Sequence, residues 1–116
     1  MRTVGDVEAW GTGGPDYSSY LDYYGGVPFV EEGTIETAGT PVIIDIRASL
    51  GHNAHVGSII NNGPGILYVY LSSDGISYSD AIELNPNQLY DLTKEDVNKI
   101  KLDSDTSGNA YKIVAH

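Results

Sequence analysis

The sequence predicts an all-β fold: an antiparallel β-sandwich, jelly-roll-like or immunoglobulin-like, behind an N-terminal Gly/Tyr-rich arm. Three observations predict it. Short apolar runs alternate with polar residues at the period of a half-buried strand, as in residues 42–50. Turn signals built from Gly, Pro, Asn, Asp and Ser punctuate the chain every few residues. No long stretch repeats at a helical period. A chain of 116 residues suits one domain with a real core.

Residues 1–26 stand apart. They are rich in glycine and poor in aliphatic side chains, and they carry Trp10, Tyr17, Tyr20, Tyr23 and Tyr24. Such a segment has too little aliphatic surface for a core of its own. Residues 16–24 fit a short helix that Pro15 starts and Gly25-Gly26 stops, with Tyr17, Tyr20, Leu21 and Tyr24 on one face. The segment reads as an arm that packs on something else. Its aromatic residues are candidate interface residues, because rings give large contact area with few rotamers to freeze. The sandwich domain is expected over residues 27–116.

Within that domain, residues 27–36 read as a weak acidic strand or strand pair interrupted by Gly33. Residues 42–50 read as one half-buried strand, with Val42, Ile44, Ile46, Ala48 and Leu50 facing in. Residues 55–61 give a short strand around Ile59 and Ile60. The strongest strand is Ile66-Leu67-Tyr68-Val69-Tyr70-Leu71, bounded by Asn62-Gly63-Pro64-Gly65 and Ser72-Ser73-Asp74-Gly75. Its Leu67, Val69 and Leu71 suit a core. Its Ile66, Tyr68 and Tyr70 form a second face, and Tyr68 and Tyr70 are candidate contact residues there. A hairpin returns along residues 77–84, with Tyr78, Ile82 and Leu84 on one face and Ile82 and Leu84 expected in the core. Residues 89–92 make a short edge piece, and Thr93 to Asp96 a capped turn. Residues 97–102 and 111–115 close the domain, with Ile100, Leu102 and Ile113 inward and Tyr111 and Ala115 on the same face as Ile113. His116 reads as mobile.

Composition excludes several functions. Six basic against sixteen acidic side chains give a net charge of −10, which argues against nucleic acid and against an anionic membrane surface. The absence of cysteine excludes disulfides and thiolate metal sites. The N-terminus lacks the apolar stretch of a signal peptide. Asp103-Ser104-Asp105-Thr106-Ser107-Gly108 begins like a calcium loop, but the twelfth position, which needs a bidentate acid, is Val114. A polar β-turn is the expectation, without a bound cation. His52 and His55 have no third ligand nearby. No serine sits in a nucleophile elbow, and Gly11-Thr12-Gly13-Gly14-Pro15 lacks the lysine of a phosphate loop. No catalytic residue, metal or cofactor is expected.

The stretch IINNGPGILYVYLSSDGISYSDAIELNPNQLYDLTKEDVNKIKLDS carries a recognisable order. An asparagine-glycine turn is followed by an apolar strand, S-x-D-G, an IELNPNQ turn, a short LYDL piece and a final strand pair. From Ile59 to His116 the chain resembles small β-sandwich structural proteins of tailed-phage virions, in particular capsid decoration (cement) proteins. The resemblance implies a non-enzymatic protein on the capsid surface, made in the host cytoplasm. It implies a homo-oligomer, with a trimer favoured, whose partner is the major capsid protein or another virion protein. The rival expectation is a carbohydrate- or cell-surface-binding sandwich module, which needs aromatics gathered on one folded face.

Overall fold

The computed structural model describes residues 27–116. The arm, with Trp10, Tyr17, Tyr20, Tyr23 and Tyr24, lies outside the described residues. The described chain contains eight strands and one short helix: β1 (Phe29–Ile35), β2 (Val42–Asp45), α1 (Ile46–Leu50), β3 (Gly57–Gly63), β4 (Leu67–Ser72), β5 (Ile82–Leu84), β6 (Leu89–Asp91), β7 (Lys99–Ser104) and β8 (Asn109–Ala115). They form two four-stranded sheets, ordered β1-β8-β3-β6 and β2-β7-β4-β5. Every pairing is antiparallel.

The two sheets share one core. The first contributes Ile35, Ile59, Tyr111, Ile113 and Ala115, the second Ile44, Leu67, Val69, Leu84, Ile100 and Leu102. Alternation explains the set, since the inward residues of each strand are spaced by two. Leu71, Val42 and Ile82, also expected inside, pack against this core half-buried. Ala54, Leu92 and Val97 join it from the segments between strands. Leu92 donates its N–H to the Gly57 carbonyl at 2.8 Å, and Ala54 and Val97 exchange two backbone bonds of 2.9 Å. Loop residues can be buried here because their backbone groups are paired.

Five expectations need correction, the last of them at Gly33. First, residues 42–50 are not one strand. The strand stops at Asp45, whose carboxylate accepts from the Ala48 N–H at 3.0 Å and caps α1. Gly51, at φ 83°, ends the helix and donates to the Arg47 carbonyl at 2.8 Å. Ile46 and Leu50 share a face in either conformation, because their spacing of four suits both periods. Ala48 separates the two, and it is exposed.

Second, the return strand is confined to Ile82–Leu84. Asp74 holds the preceding loop instead, accepting from Ile76 N at 2.8 Å and Ser77 N at 2.9 Å. Ser79 bonds Leu71 with its amide at 2.8 Å and, in reverse, with its hydroxyl at 3.0 Å, so a side chain replaces half of a strand pairing. Third, Thr93 does not cap a helical turn. Its N–H donates to Asp91 Oδ1 at 2.8 Å, and Glu95 N closes a β-turn on the Leu92 carbonyl at 3.0 Å. Fourth, His116 is 6% exposed, bonded through its backbone to Val56 and His55 at 3.0 Å each.

Gly33 does not interrupt β1, which runs through it in continuous register with β8. Gly33 lies opposite Tyr111, and a Cβ there would come within 2.6 Å of the phenol oxygen. The ring occupies the space that a side chain at Gly33 would need.

Candidate functional site

The outward face of the β2-β7-β4-β5 sheet gathers the aromatic residues of the described chain that point away from the core. Alternation along β4 sends Leu67 and Val69 inward and leaves Tyr68 and Tyr70 half-buried on the other side. Tyr70 lies opposite Lys101 on β7, and Lys101 lies opposite Ile43 on β2. Ile43 is 55% exposed. The Lys101 ammonium sits 4.6 Å from the centroid of the Tyr70 ring and 4.9 Å from that of Tyr78. Both distances lie within the range of cation–π attraction. Tyr78 reaches this place from the β4–β5 loop that Asp74 organises.

Tyr68 lies between Asp103 on β7 and Glu83 on β5. Desolvation first, then the charges of Asp105 and Glu83, push its phenol above the ordinary tyrosine range. The face therefore grades from an aliphatic edge at Ile43, through a cation held between two rings, to a third ring among carboxylates. Its chemistry is that of contact: stacking, apolar burial and one cation. Tyr68 and Tyr70 are brought together here as expected from β4 alone. Tyr78 and Lys101 were not legible as part of the same face, because the loop and the β4–β7 pairing that deliver them are long-range.

The end of β7 and the polar loop after it use their carboxylates internally. Asp103 Oδ1 accepts from Gly39 N at 3.0 Å and Ser104 N at 2.7 Å. Asp105 Oδ1 accepts from Thr106 Oγ1 at 2.8 Å and Ile66 N at 3.0 Å, which hold its pKa below the ordinary aspartate value. These carboxylates tie neighbouring turns together. His52 Nδ1 contacts the Asn53 carbonyl at 2.6 Å and His55 Nδ1 the Glu95 carbonyl at 3.1 Å. Among the described residues, no three His, Asp or Glu side chains converge as a metal site.

A separate open cleft of about 430 Å³ lies where β5 and β6 edge their sheets. Leu71, Ile82 and Tyr90 form its apolar surface, and Asp80, Glu95 and Asp96 its acidic rim. Tyr90 donates its hydroxyl to Glu95 Oε2 at 2.8 Å, and that bond, with burial second, raises the Tyr90 pKa.

Among the described residues, no helix is long and apolar enough to cross a membrane. No protein family model matches the sequence, and no curated protein matches it.

Proposed function

We propose that this chain is a non-enzymatic structural protein of a tailed-phage virion, a capsid decoration or cement protein that binds and stabilises the shell. The observation that carries the reading is the strand order. Eight strands in two sheets, ordered β1-β8-β3-β6 and β2-β7-β4-β5, support a jelly roll over an immunoglobulin-like sandwich. Jelly rolls are an architecture of viral capsid domains, and also of lectins. The step from fold to role is one of analogy. It is supported by the resemblance over residues 59–116 and by the contact chemistry of the Tyr70–Lys101–Tyr78 face. The proposed partner is the major capsid protein or another virion protein. The proposed oligomer is a trimer.

Co-sedimentation with assembled, undecorated capsids tests this reading. The chain should pellet with the shells and raise their thermal midpoint. Lys101→Glu should weaken that binding by reversing the charge between Tyr70 and Tyr78. A chain that stays in the supernatant at saturating shell concentration refutes the proposal.

The second reading, a carbohydrate-binding module, draws on one specific observation. Tyr68, Tyr70 and Tyr78 share the folded domain rather than the arm, and sugars stack on such rings. Glycan-array binding that is lost in Tyr70→Ala, with no capsid binding, selects it.

A further inference from the structure

Among the described residues the two sheets have four edge strands, and three of them are short. β5 and β6 have three residues each, and β2 has four before the chain turns into α1. Short edges protect a sheet from unplanned pairing. β1 is different. It has seven residues, and every one pairs with β8 without a register shift.

The backbone direction along β1 follows from its neighbours. His116 donates to Val56 O and accepts from His55 N, so its backbone faces the β3 side. Alternation then turns Val114 and Lys112 toward β3, and Ala115, Ile113 and Tyr111 toward β1. Their partners Phe29, Glu31 and Gly33 direct their backbone groups at β8. Val30, Glu32 and Thr34 direct theirs away from the sheet. The side chains of these three residues are exposed, Val30 by 56%.

We propose that β1 is a docking edge for strand addition, and that its occupant is an extended segment of a partner protein carrying two adjacent basic residues. The backbone groups of Val30, Glu32 and Thr34 supply the ladder. Charge selects the strand. Glu31 and Glu32 stand at the middle of the edge, and Glu36 follows it, in a chain of net charge −10. Lys112 offsets Glu32 at 3.4 Å, while among the described residues Glu31 meets the Tyr111 hydroxyl, also at 3.4 Å, and no cation. Antiparallel pairing of two copies about Glu32 would set that residue opposite itself, with like charges across the ladder. A basic pair opposite Glu31 and Glu32, with a β-branched residue opposite Val30, fits both faces of the added strand. The inference goes beyond the capsid reading and holds whether or not the partner belongs to a virion.

The test uses the full chain and two end-capped peptides. One is Thr-Val-Thr-Val-Lys-Lys-Val-Thr, and the other has glutamate in place of both lysines. The lysine peptide should bind at least tenfold more tightly. Amide exchange at Val30, Glu32 and Thr34 should be fast in the free chain and slow at least tenfold when the lysine peptide is added. Thr34→Pro removes an outward N–H and should weaken binding at least tenfold with the thermal midpoint preserved. Equal affinity for the two peptides overturns the proposal, as does full binding to a folded Thr34→Pro chain. If that variant fails to fold, exchange in the unaltered chain decides. Protection of the three amides without peptide means that the chain itself or a second copy covers the edge, and also overturns it.

Discussion

Asn109 donates from Nδ2 to Asn61 Oδ1 across 2.9 Å, and neither side chain reaches solvent. The pair joins β8 to β3 at the end of the core. Asn61 Nδ2 donates to the carbonyls of Leu84 at 2.7 Å and Gly65 at 2.8 Å, while its Oδ1 also accepts from Gly63 N at 2.8 Å. Asn109 Oδ1 accepts from Gly65 N at 2.6 Å. Two side chains thus satisfy the backbone of a turn that leaves one sheet for the other. A buried network of this kind is stabilising only when every member is paired.

Replacing Asn61 by leucine keeps the approximate volume and removes the four bonds that the Asn61 side chain makes. The Asn109 amide, the Leu84 carbonyl and the Gly63 amide are left buried without that partner. At roughly 1–3 kcal/mol for each unsatisfied group, with incomplete additivity, the expected loss is about 3 kcal/mol. Urea unfolding followed by tryptophan or tyrosine fluorescence measures it. A loss below about 1 kcal/mol would mean that water replaces the network without difficulty.

Gly33→Ala should destabilise even though β1 has ordinary strand geometry there. In open space alanine is favoured over glycine by about 0.5–1 kcal/mol. Here the added Cβ would meet the Tyr111 oxygen at 2.6 Å and Cζ at 2.8 Å. Overpacking of this size costs about 1–3 kcal/mol. In a Tyr111→Val background the same substitution should become neutral or favourable. Additive effects of the two changes would show that the ring is not the cause.

Much of the fold is legible because strand alternation is local. Leu67, Val69, Ile100, Leu102 and Ile113 are buried as their spacing demands. The misreadings occur where side chains take over the role of the backbone. Asp45 turns a strand into a helix, and Asp74 and Ser79 turn a hairpin into an ordered loop. Asn61 reads as the end of a strand and Asn109 as a turn residue, because nothing local reveals that 48 positions separate two partners in one buried bond. Of the outward face of the β2-β7-β4-β5 sheet, Tyr68 and Tyr70 were legible from β4 alone. Lys101 alternates outward on β7, but only the register of β7 against β4 sets it beside Tyr70.

The loops make stability depend on acid. The Ser77 and Ile76 amides lower the pKa of Asp74, Thr93 lowers that of Asp91, and Thr106 followed by Ile66 lowers that of Asp105. A depressed folded pKa means that the ionised form is favoured in the native state. The contribution is present above the ordinary aspartate value of about 4 and is lost as pH falls through the lowered one. Unfolding free energy should therefore decline between about pH 5 and pH 2, and Asp74→Asn should flatten that decline. An unchanged slope in Asp74→Asn would assign the acid sensitivity to other groups.

Calcium should leave stability unchanged. Asp103 and Asp105 each direct an oxygen at backbone amides, and the position that would supply a bidentate acid is Val114, within β8. Thermal unfolding in excess calcium and in excess chelator should coincide. A midpoint that rises with calcium would show that the loop opens its carboxylates to the ion.

The final prediction concerns a chain beginning at Val27. Both sheets and their shared core are assembled from residues between Phe29 and Ala115, and the core residues bury one another. Such a chain should unfold cooperatively, with a β-type circular dichroism spectrum. Its binding to an assembly should be weaker if Trp10, Tyr17, Tyr20, Tyr23 and Tyr24 anchor the contact. Rings of that kind can outweigh an ordering cost of about 1–2 kcal/mol per backbone residue. Unchanged binding would move the whole contact to the sandwich, onto the Tyr70–Lys101–Tyr78 face and the β1 edge. Loss of folding would make residues 1–26 part of the core. The three outcomes separate on two measurements, the unfolding midpoint and the fraction bound.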